Sequence, residues 1–364
     1  MKIGMLTTHY AINYGAVLQA YSLQIELREL SGVARVDFLN YVDNGPRHGR
    51  SHSYSKSSVK NVILSIAKFA NPNYRRNFKL KIKKFDEFIL DNCEISSSCN
   101  DDTLLQMCNN YDAIVVGSDQ VWNPDIFPIT LYGLKSIAES YEGVVISYAA
   151  STGRALSDSE AMELGRLIKE FSAVSLREPH NVNALIGASG KNIEVVPDPV
   201  LLRDSRWWES VVRQVPPPFS KGYILVYEVN SPPDFKMRLK AAQRDRPKLR
   251  TVVINNSAIP KHVNVDHHSA LGPLEFLWAI YNADIVISSS FHCLAFALIF
   301  KKPIIVDCAP GTELRQRQLI ESLGVDSFAE LAQPISDERW LQIHRKMDQI
   351  RVAGKKFLKS ALGL

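Results

Sequence analysis

Residues 283–306 read ADIVISSSFHCLAFALIFKKPIIV. The run 284–288 predicts a buried strand, the segment 291–300 predicts an apolar helix, and 303–307 predicts a second strand. A strand, a helix and another strand in this order are typical of the α/β class, in which helices cover a mainly parallel sheet. We therefore expect this part of the chain to lie in an α/β domain.

The same alternation continues on both sides of this stretch. Earlier strands are predicted at 2–6, 34–41, 113–116, 144–150, 173–176 and 193–196, and later ones at 223–229 and 251–255. The proline run 216–218 is typical of a linker between domains. We predict two Rossmann-like domains facing a cleft, spanning 1–212 and 219–335. A helix over 336–364 is expected to pack back on the first domain.

The composition excludes several classes of protein. The 364 residues are 46% hydrophobic and 22% charged, as in an ordinary globular protein. The longest apolar run has eight residues, 293–300, far below the roughly 20 needed to span a bilayer. The N-terminus lacks a signal-peptide pattern, and the five cysteines have no disulfide or zinc spacing. We expect a cytoplasmic protein without an obvious structural metal.

Basic residues are concentrated in one segment. Between positions 44 and 85 there are eleven Lys or Arg residues and no Asp or Glu. We expect a basic helical insertion at about 44–92, with helices over 59–70 and around Phe78, Ile82, Phe85 and Ile89. Such helices pack on the domain, lie on an anionic membrane surface (here the inner face), or bind a phosphate-bearing acceptor. No reader motif accompanies the charge, so nucleic acid is not an expected partner.

The segment Ser288-Ser289-Ser290-Phe291-His292 is the strongest candidate site. Its hydroxyls end a predicted strand and cap a predicted helix, and a helix N-terminus favours anions such as phosphate. A histidine in the first turn can give a proton to a bound ligand. The alternative interpretation is an ordinary capped helix.

Polar residues also follow the strands of the first half. Asn13 and Gly15 come after the first strand, Asp119 after the third, and Ser151 after the fourth. Ligands of open α/β sheets bind at these strand ends. Arg177 offers a planar fork for a carboxylate or phosphate, or else forms a salt bridge with a neighbour such as Glu178.

Several segments together resemble the polysaccharide pyruvyl transferase family. They are NYGAVLQAYSLQ, VVGSDQVWNP, SYAASTG, SLREPHNVNAL, PDPVLL, the stretch quoted first, and LRQRQLIESLG. The resemblance runs from residue 13 to about 325. It implies a fold similar to the GT-B glycosyltransferases. It also implies transfer of pyruvate from phosphoenolpyruvate to two hydroxyls of a sugar, giving a ketal in a bacterial surface polysaccharide or its lipid-linked precursor.

The resemblance also implies roles for particular residues. His292 becomes the general acid, and Arg177, Ser289, Ser290, Arg315 and Arg317 become donor-binding residues. The acceptor side is lined by Asn13, Gly15, Asp119 and Ser151. Many members carry an arginine where this chain has Ser290, so a second cation must come from elsewhere, with Arg315 and Arg317 as candidates.

Two other functions stay open at this point. One is a nucleotide-sugar glycosyltransferase of the same architecture, in which Glu313 is a candidate for binding the ribose. The other is a non-catalytic binding protein in a polysaccharide assembly complex. Binding of phosphoenolpyruvate distinguishes both from the pyruvyl transferase.

Overall fold

The computed structural model describes residues 1–42, 71–135, 137, 140–229, 235–254, 265–308 and 313–364. Within them the chain forms two compact units. Unit 1 takes in residues up to 42, Ile89–Leu202 and Ile350–Leu364, and unit 2 takes in 71–88 and Arg203–Gln349. The helix predicted over 59–70 lies outside the described residues.

Unit 1 is built on a parallel sheet with the strand order β3-β2-β1-β4-β5-β6-β7. Its strands are β1 (Lys2–Leu6), β2 (Arg35–Tyr41), β3 (Ile95–Cys99), β4 (Ala113–Asp119), β5 (Val144–Ala150), β6 (Val174–Leu176) and β7 (Ile193–Val195). Its helices are α1 (Tyr14–Arg28), α3 (Leu104–Cys108), α4 (Ile129–Tyr132), α5 (Asp158–Ile168) and α6 (Val182–Ser189). Short 3₁₀ turns occupy Pro179–Asn181 and Pro199–Leu202.

Unit 2 is built on a second parallel sheet with the order β10-β9-β8-β11-β12. Its strands are β8 (Tyr223–Tyr227), β9 (Arg250–Ile254), β10 (Val265–His267), β11 (Ile285–Ser288) and β12 (Ile304–Val306). Its helices are α7 (Ser205–Val212), α8 (Phe235–Asp245), α9 (Pro273–Tyr281), α10 (Phe291–Ile299), α11 (Leu314–Ser322) and α12 (Phe328–Leu331). Two helices contribute to both units, α2 (Pro72–Asn92) and α13 (Asp337–Leu362).

The central strands are buried on both faces, which is why they read as continuous apolar runs in the sequence. In unit 2 all five residues of β8 are buried. Alternate side chains of β8 and β11, such as Ile224 and Ile285, pack with Phe235 and Leu239 of α8. The predicted α/β class with two domains is confirmed by these two sheets. A cleft between the domains stays a prediction.

The predicted capping of α5 is present. The Ser157 hydroxyl accepts from the Glu160 N–H at 3.3 Å, and the Glu160 carboxylate accepts from the Ser157 N–H at 2.8 Å. These two bonds satisfy backbone donors that the first helical turn leaves without partners. The helix therefore begins where the sequence pattern places it.

Helix α7 lies in unit 2, although the predicted first domain extends to residue 212. The ring of Trp208 in α7 lies 4.8 Å from that of Phe296 in α10, edge to face. Trp208 is fully buried, so a large apolar side chain holds this helix in unit 2. The proline run at 216–218 comes after the helix, within unit 2.

The basic helix α2 packs in unit 2 through both apolar and charged side chains. Phe85 and Phe88 are buried, and the Lys84 ammonium bonds both carboxylate oxygens of Glu275 at 2.7 Å. Lys81 is also buried, 4% exposed. It lies on the same face of the helix as Phe78, three residues earlier, and Phe85, four residues later. Burial lowers the pKa of Lys81 to about 8. Exposed cations remain at Arg75, Arg76, Lys79 and Lys83.

Candidate functional site

Two acids and a serine form a row at the carboxyl edge of the unit 2 sheet. Tyr227, Ser288 and Val306 lie level at the ends of β8, β11 and β12. The residues that follow them are Glu228, Ser289 and Asp307, and we call these three the edge row. Strand order reverses between β8 and β11, and open α/β sheets bind ligands at this kind of switch point. The edge row therefore marks the candidate ligand site of unit 2.

The serines prepare the amino-terminal end of α10. The Ser288 hydroxyl donates to the Tyr227 carbonyl at 2.5 Å and accepts from the Ser290 N–H at 3.1 Å. The Ser290 hydroxyl caps the helix by accepting from the Cys293 N–H at 3.4 Å. His292 lies in the first turn, with its ring edge to face with Phe291, and is 7% exposed. A capped helix start and an imidazole thus come together as the sequence predicts.

Ser289 is held from several directions. Its hydroxyl accepts from the Val229 N–H at 3.1 Å, and its carbonyl accepts from the Gln316 amide at 2.8 Å. The Cys308 thiol also donates to that carbonyl at 3.8 Å. These bonds join the loop between β11 and α10 to the end of β8 and to α11.

The edge row carries two buried carboxyl groups on either side of Ser289. Glu228 is 3% exposed and Asp307 is fully buried. Arg238 of α8 pairs with Asp307, with 3.1 Å between Nη1 and Oδ1. Burial and the neighbouring Asp307 raise the pKa of Glu228 to about 9, against the opposing influence of Ser289 and Arg238. Glu228 is therefore protonated at neutral pH.

The two arginines of α11 have different surroundings. Arg315 is half-buried and lies within electrostatic range of the Cys308 thiol, which donates to the Ser289 carbonyl. Arg317 is half-exposed, 3.7 Å from the Glu313 carboxylate, and its guanidinium lies over the Phe328 ring. Of the two arginines of α11 predicted to bind the donor, Arg315 is thus the one near the edge row.

In unit 1 the corresponding edge lies where β1 and β4 are neighbours. The Thr8 hydroxyl, after β1, donates to the Asp119 carboxylate at 3.0 Å. Asp119 has φ +67°, a left-handed conformation that is uncommon for a residue with a side chain. Gly117 has φ +106°, and a Cβ there would lie 2.6 Å from the Tyr148 carbonyl oxygen. The backbone of this segment is therefore shaped to present Asp119 at the edge.

Arg177 lies among carboxylates of its own unit. Its Nε donates to Glu178 at 2.7 Å and its Nη1 to Asp198 at 2.8 Å, and Asp119 lies 4.0 Å away. Burial alone would lower the pKa of Arg177, but these three acids outweigh it and raise the pKa. The side chain is 2% exposed. The salt bridges of the alternative interpretation are therefore present, and the donor-binding role of Arg177 stays a prediction.

The other predicted acceptor residues have structural bonds of their own. Asn13 caps α1, its Oδ1 accepting from the N–H groups of Gly15 at 3.0 Å and Ala16 at 3.4 Å. The Ser151 hydroxyl donates to Glu178 at 3.1 Å and accepts from the Gly153 N–H at 3.1 Å. Through Glu178, Ser151 joins the cluster around Arg177. The acceptor roles of Asn13, Gly15, Asp119 and Ser151 stay predictions.

Sequence reasoning missed Glu228, Asp307 and Thr8. Glu228 and Asp307 directly follow a strand, and Thr8 lies two residues after one. An acid at the end of a buried apolar run, as in YILVYE, is a sequence pattern that indicates a residue at the ligand-binding edge of the sheet. The described residues contain no cluster of three or more His, Cys, Asp or Glu side chains suited to a metal ion. They also contain no helix that is both long and apolar enough to cross a membrane.

Comparison with known proteins gives one family and a common fold. A family model described as polysaccharide pyruvyl transferase matches residues 13–306. None of the curated proteins compared with the chain matches it.

Solved structures of similar fold include two bacterial proteins. The Staphylococcus aureus MnaA–UDP structure is 11% identical, with a TM-score of 0.53, covering 100% of this chain and 97% of its own. A putative UDP-N-acetylglucosamine 2-epimerase from Listeria monocytogenes is 10% identical, with a TM-score of 0.52, covering 99% and 95%. The neighbours have the GT-B architecture, so the predicted fold type is confirmed. At this identity the likeness concerns the fold alone.

Proposed function

Because the chain belongs to the polysaccharide pyruvyl transferase family, we propose that it transfers pyruvate from phosphoenolpyruvate to two hydroxyls of a sugar. The product is a pyruvate ketal of a surface polysaccharide or its lipid-linked precursor. The observation that supports this chemistry is the serine-capped start of α10, with His292 in the first turn beside the edge row. Helix N–H groups favour a phosphate there, and the imidazole can supply a proton.

The proposed reaction begins with proton transfer. His292, in its protonated form, gives a proton to the methylene carbon of phosphoenolpyruvate, which leaves an oxocarbenium-like centre at the neighbouring carbon. A sugar hydroxyl forms a C–O bond to that carbon and returns its proton to His292. The C–O bond to phosphate then breaks, and the second hydroxyl closes the ketal and loses its proton. One phosphate is released for each ketal, and no electrons are exchanged.

The proposal assigns the two substrates to the two sheet edges. The donor belongs to unit 2, with Ser289, Ser290 and Arg315 around the start of α10. The acceptor belongs to unit 1, where Asp119 can accept hydrogen bonds from sugar hydroxyls. The Thr8 hydroxyl holds the Asp119 carboxylate at 3.0 Å, and Arg177, 4.0 Å from Asp119, is bonded to Glu178 and Asp198. No resident cofactor or metal is part of the proposal.

The experiment is a turnover assay with separated products. Purified protein, phosphoenolpyruvate and a panel of sugar and lipid-linked acceptors are followed by phosphate release and by mass spectrometry of the acceptor. The proposal expects an acceptor mass increase of one pyruvyl ketal that matches the phosphate released. His292→Ala serves as the inactive control, and Cys293→Ser as a matched change in the same helical turn that keeps activity. Phosphate release from His292→Ala at the wild-type rate would contradict the role of His292.

We also propose that exposed cations of α2 contact anionic lipid at the inner membrane face. Arg75, Arg76, Lys79 and Lys83 are exposed, and the apolar side of this helix already packs in the protein through Phe85 and Phe88. Contact would therefore be electrostatic and sensitive to salt. Sedimentation with vesicles of anionic or of neutral lipid tests this. Equal binding to both vesicles would refute it.

A further inference from the structure

Glu228, a member of the edge row, is a buried carboxyl group with few hydrogen-bond partners among the described residues. The Ser289 hydroxyl lies within reach of this carboxyl group but in a poor hydrogen-bond geometry, and no other described residue donates to either oxygen. Its partner in the row, Asp307, has Arg238 beside it at 3.1 Å. A buried polar group without hydrogen bonds is costly, so such groups normally meet a protein group, a water or a ligand.

The position of Glu228 indicates which ligand could meet it. The residue follows β8 at the switch point, next to the Ser289 hydroxyl. Its charge reaches Cys293 in the first turn of α10 and Cys308 after β12. Glu228 thus lies beside Ser289, the residue before the N-cap of α10, and this helix has nine residues. The N–H groups at the start of this helix favour an anion.

The charge balance decides the form of Glu228 that is compatible with an anion. The charged or titratable groups around it are Asp307, Arg238, Tyr227, Cys293 and Cys308, and the last of these also faces Arg315 and Glu313. With Glu228 protonated, Asp307 and Arg238 cancel each other. With Glu228 ionised, the cluster carries a net negative charge that would repel an anionic ligand.

We propose that Glu228, as the neutral acid, binds the phosphate of the donor substrate by donating its carboxyl hydrogen to a phosphate oxygen at the start of α10. A hydrogen bond to a charged acceptor is among the stronger ones in proteins. The proposal rests on the donor site proposed above, and it names a residue of that site that the sequence analysis did not find. It also supplies a hydrogen-bond donor for the phosphate beside Ser289.

The test is calorimetric titration with phosphoenolpyruvate at pH 7.5 and pH 9.5. The phosphate of such an ester has a second pKa near ~6, so its charge does not change over this range. A single group with a pKa of about 9 is mostly protonated at pH 7.5 and about one-quarter protonated at pH 9.5. The wild-type affinity should therefore fall about fourfold between the two values.

Three variants isolate Glu228 from other titrating groups. Glu228→Gln keeps a neutral hydrogen-bond donor, so its affinity should lack the Glu228-dependent fall with pH. Glu228→Ala lacks the donor and should bind about tenfold more weakly than wild type at pH 7.5. Glu321→Gln removes an exposed carboxylate of α11 outside the edge row and should keep the wild-type slope. Near-ultraviolet circular dichroism confirms that each variant is folded.

Two results overturn the proposal. One is the same fall in affinity with pH in Glu228→Gln as in wild type, and the other is unchanged affinity of folded Glu228→Ala at pH 7.5. Inorganic phosphate, titrated in parallel, separates this proposal from the proposed function. Phosphate binding that depends on Glu228 without any binding of phosphoenolpyruvate would support the anion site and refute the donor. Turnover with phosphoenolpyruvate that is independent of Glu228 would support the proposed function and refute the role of Glu228.

Discussion

Replacing Arg177 by alanine should destabilise unit 1 strongly. The side chains of Glu178 and Asp198 are 3% and 0% exposed, and among the described residues Arg177 bonds both. Removing one partner of a buried ion pair leaves an uncompensated charge, at a cost of about 3–5 kcal/mol. In a unit of this size each kcal/mol lowers the melting temperature by about 2–4 °C, so a decrease of about 6–20 °C is expected.

Arg154 provides a matched control, because it also pairs with two carboxylates. Its Nε lies 2.8 Å from Asp125 and its Nη2 lies 2.8 Å from Glu160, but the side chain is 37% exposed. Exposed pairs contribute about 0–1 kcal/mol, so Arg154→Ala should lower the melting temperature by no more than about 4 °C. Differential scanning calorimetry of both variants measures the contrast. Equal melting temperatures for the two variants would refute the structural role of Arg177 and favour its role as a donor clamp.

Three further predictions concern the site, the edge row and α2. His292→Ala should lower turnover by about 100- to 10,000-fold while changing phosphoenolpyruvate affinity far less, as measured by stopped-assay phosphate release and calorimetry; unchanged turnover would contradict it. Folding raises the pKa of Glu228 to about 9, so between about pH 4.5 and pH 9 the unfolded chain is ionised at Glu228 while the folded protein is not. As the pH rises through this range, wild type should lose roughly 1.4 kcal/mol of stability per pH unit relative to Glu228→Gln. Denaturant titrations of both proteins at several pH values measure this, and a constant difference would disprove it. Changing Lys79 and Lys83 together to alanine should weaken binding to anionic vesicles by about 1 kcal/mol per lysine; equal binding would exclude α2 as the contact.

The strongly apolar elements were predictable from the sequence because burial decides their pattern. The strand Val144–Ala150 has the predicted bounds, and α10 ends one residue earlier than predicted. The strands β3 and β10 were missed. β3 reads ISSSC and has few apolar residues, and β10 has three residues. Such strands form because a neighbouring strand supplies hydrogen bonds, which a single-sequence pattern does not contain.

The candidate site was predictable only where one segment carries its parts. Ser288, Ser290 and His292 are neighbours in the sequence, and the structure keeps them together at the start of α10. The edge row combines residues 228, 289 and 307, which parallel strand pairing brings level. Likewise, Arg177 meets Asp198 across 21 residues. Which neighbour satisfies an arginine depends on this long-range pairing, so the sequence alone left the clamp and the salt bridge as alternatives.

The most direct measurement for the proposed function is calorimetric titration of the wild-type protein with phosphoenolpyruvate and, separately, with UDP and UDP-sugars. The UDP arm is included because one solved protein of this fold is a UDP complex. The pyruvyl transferase account predicts saturable binding of phosphoenolpyruvate, with turnover that is lost in His292→Ala. Binding of a UDP-sugar without any binding of phosphoenolpyruvate would contradict it and favour a nucleotide-sugar transferase.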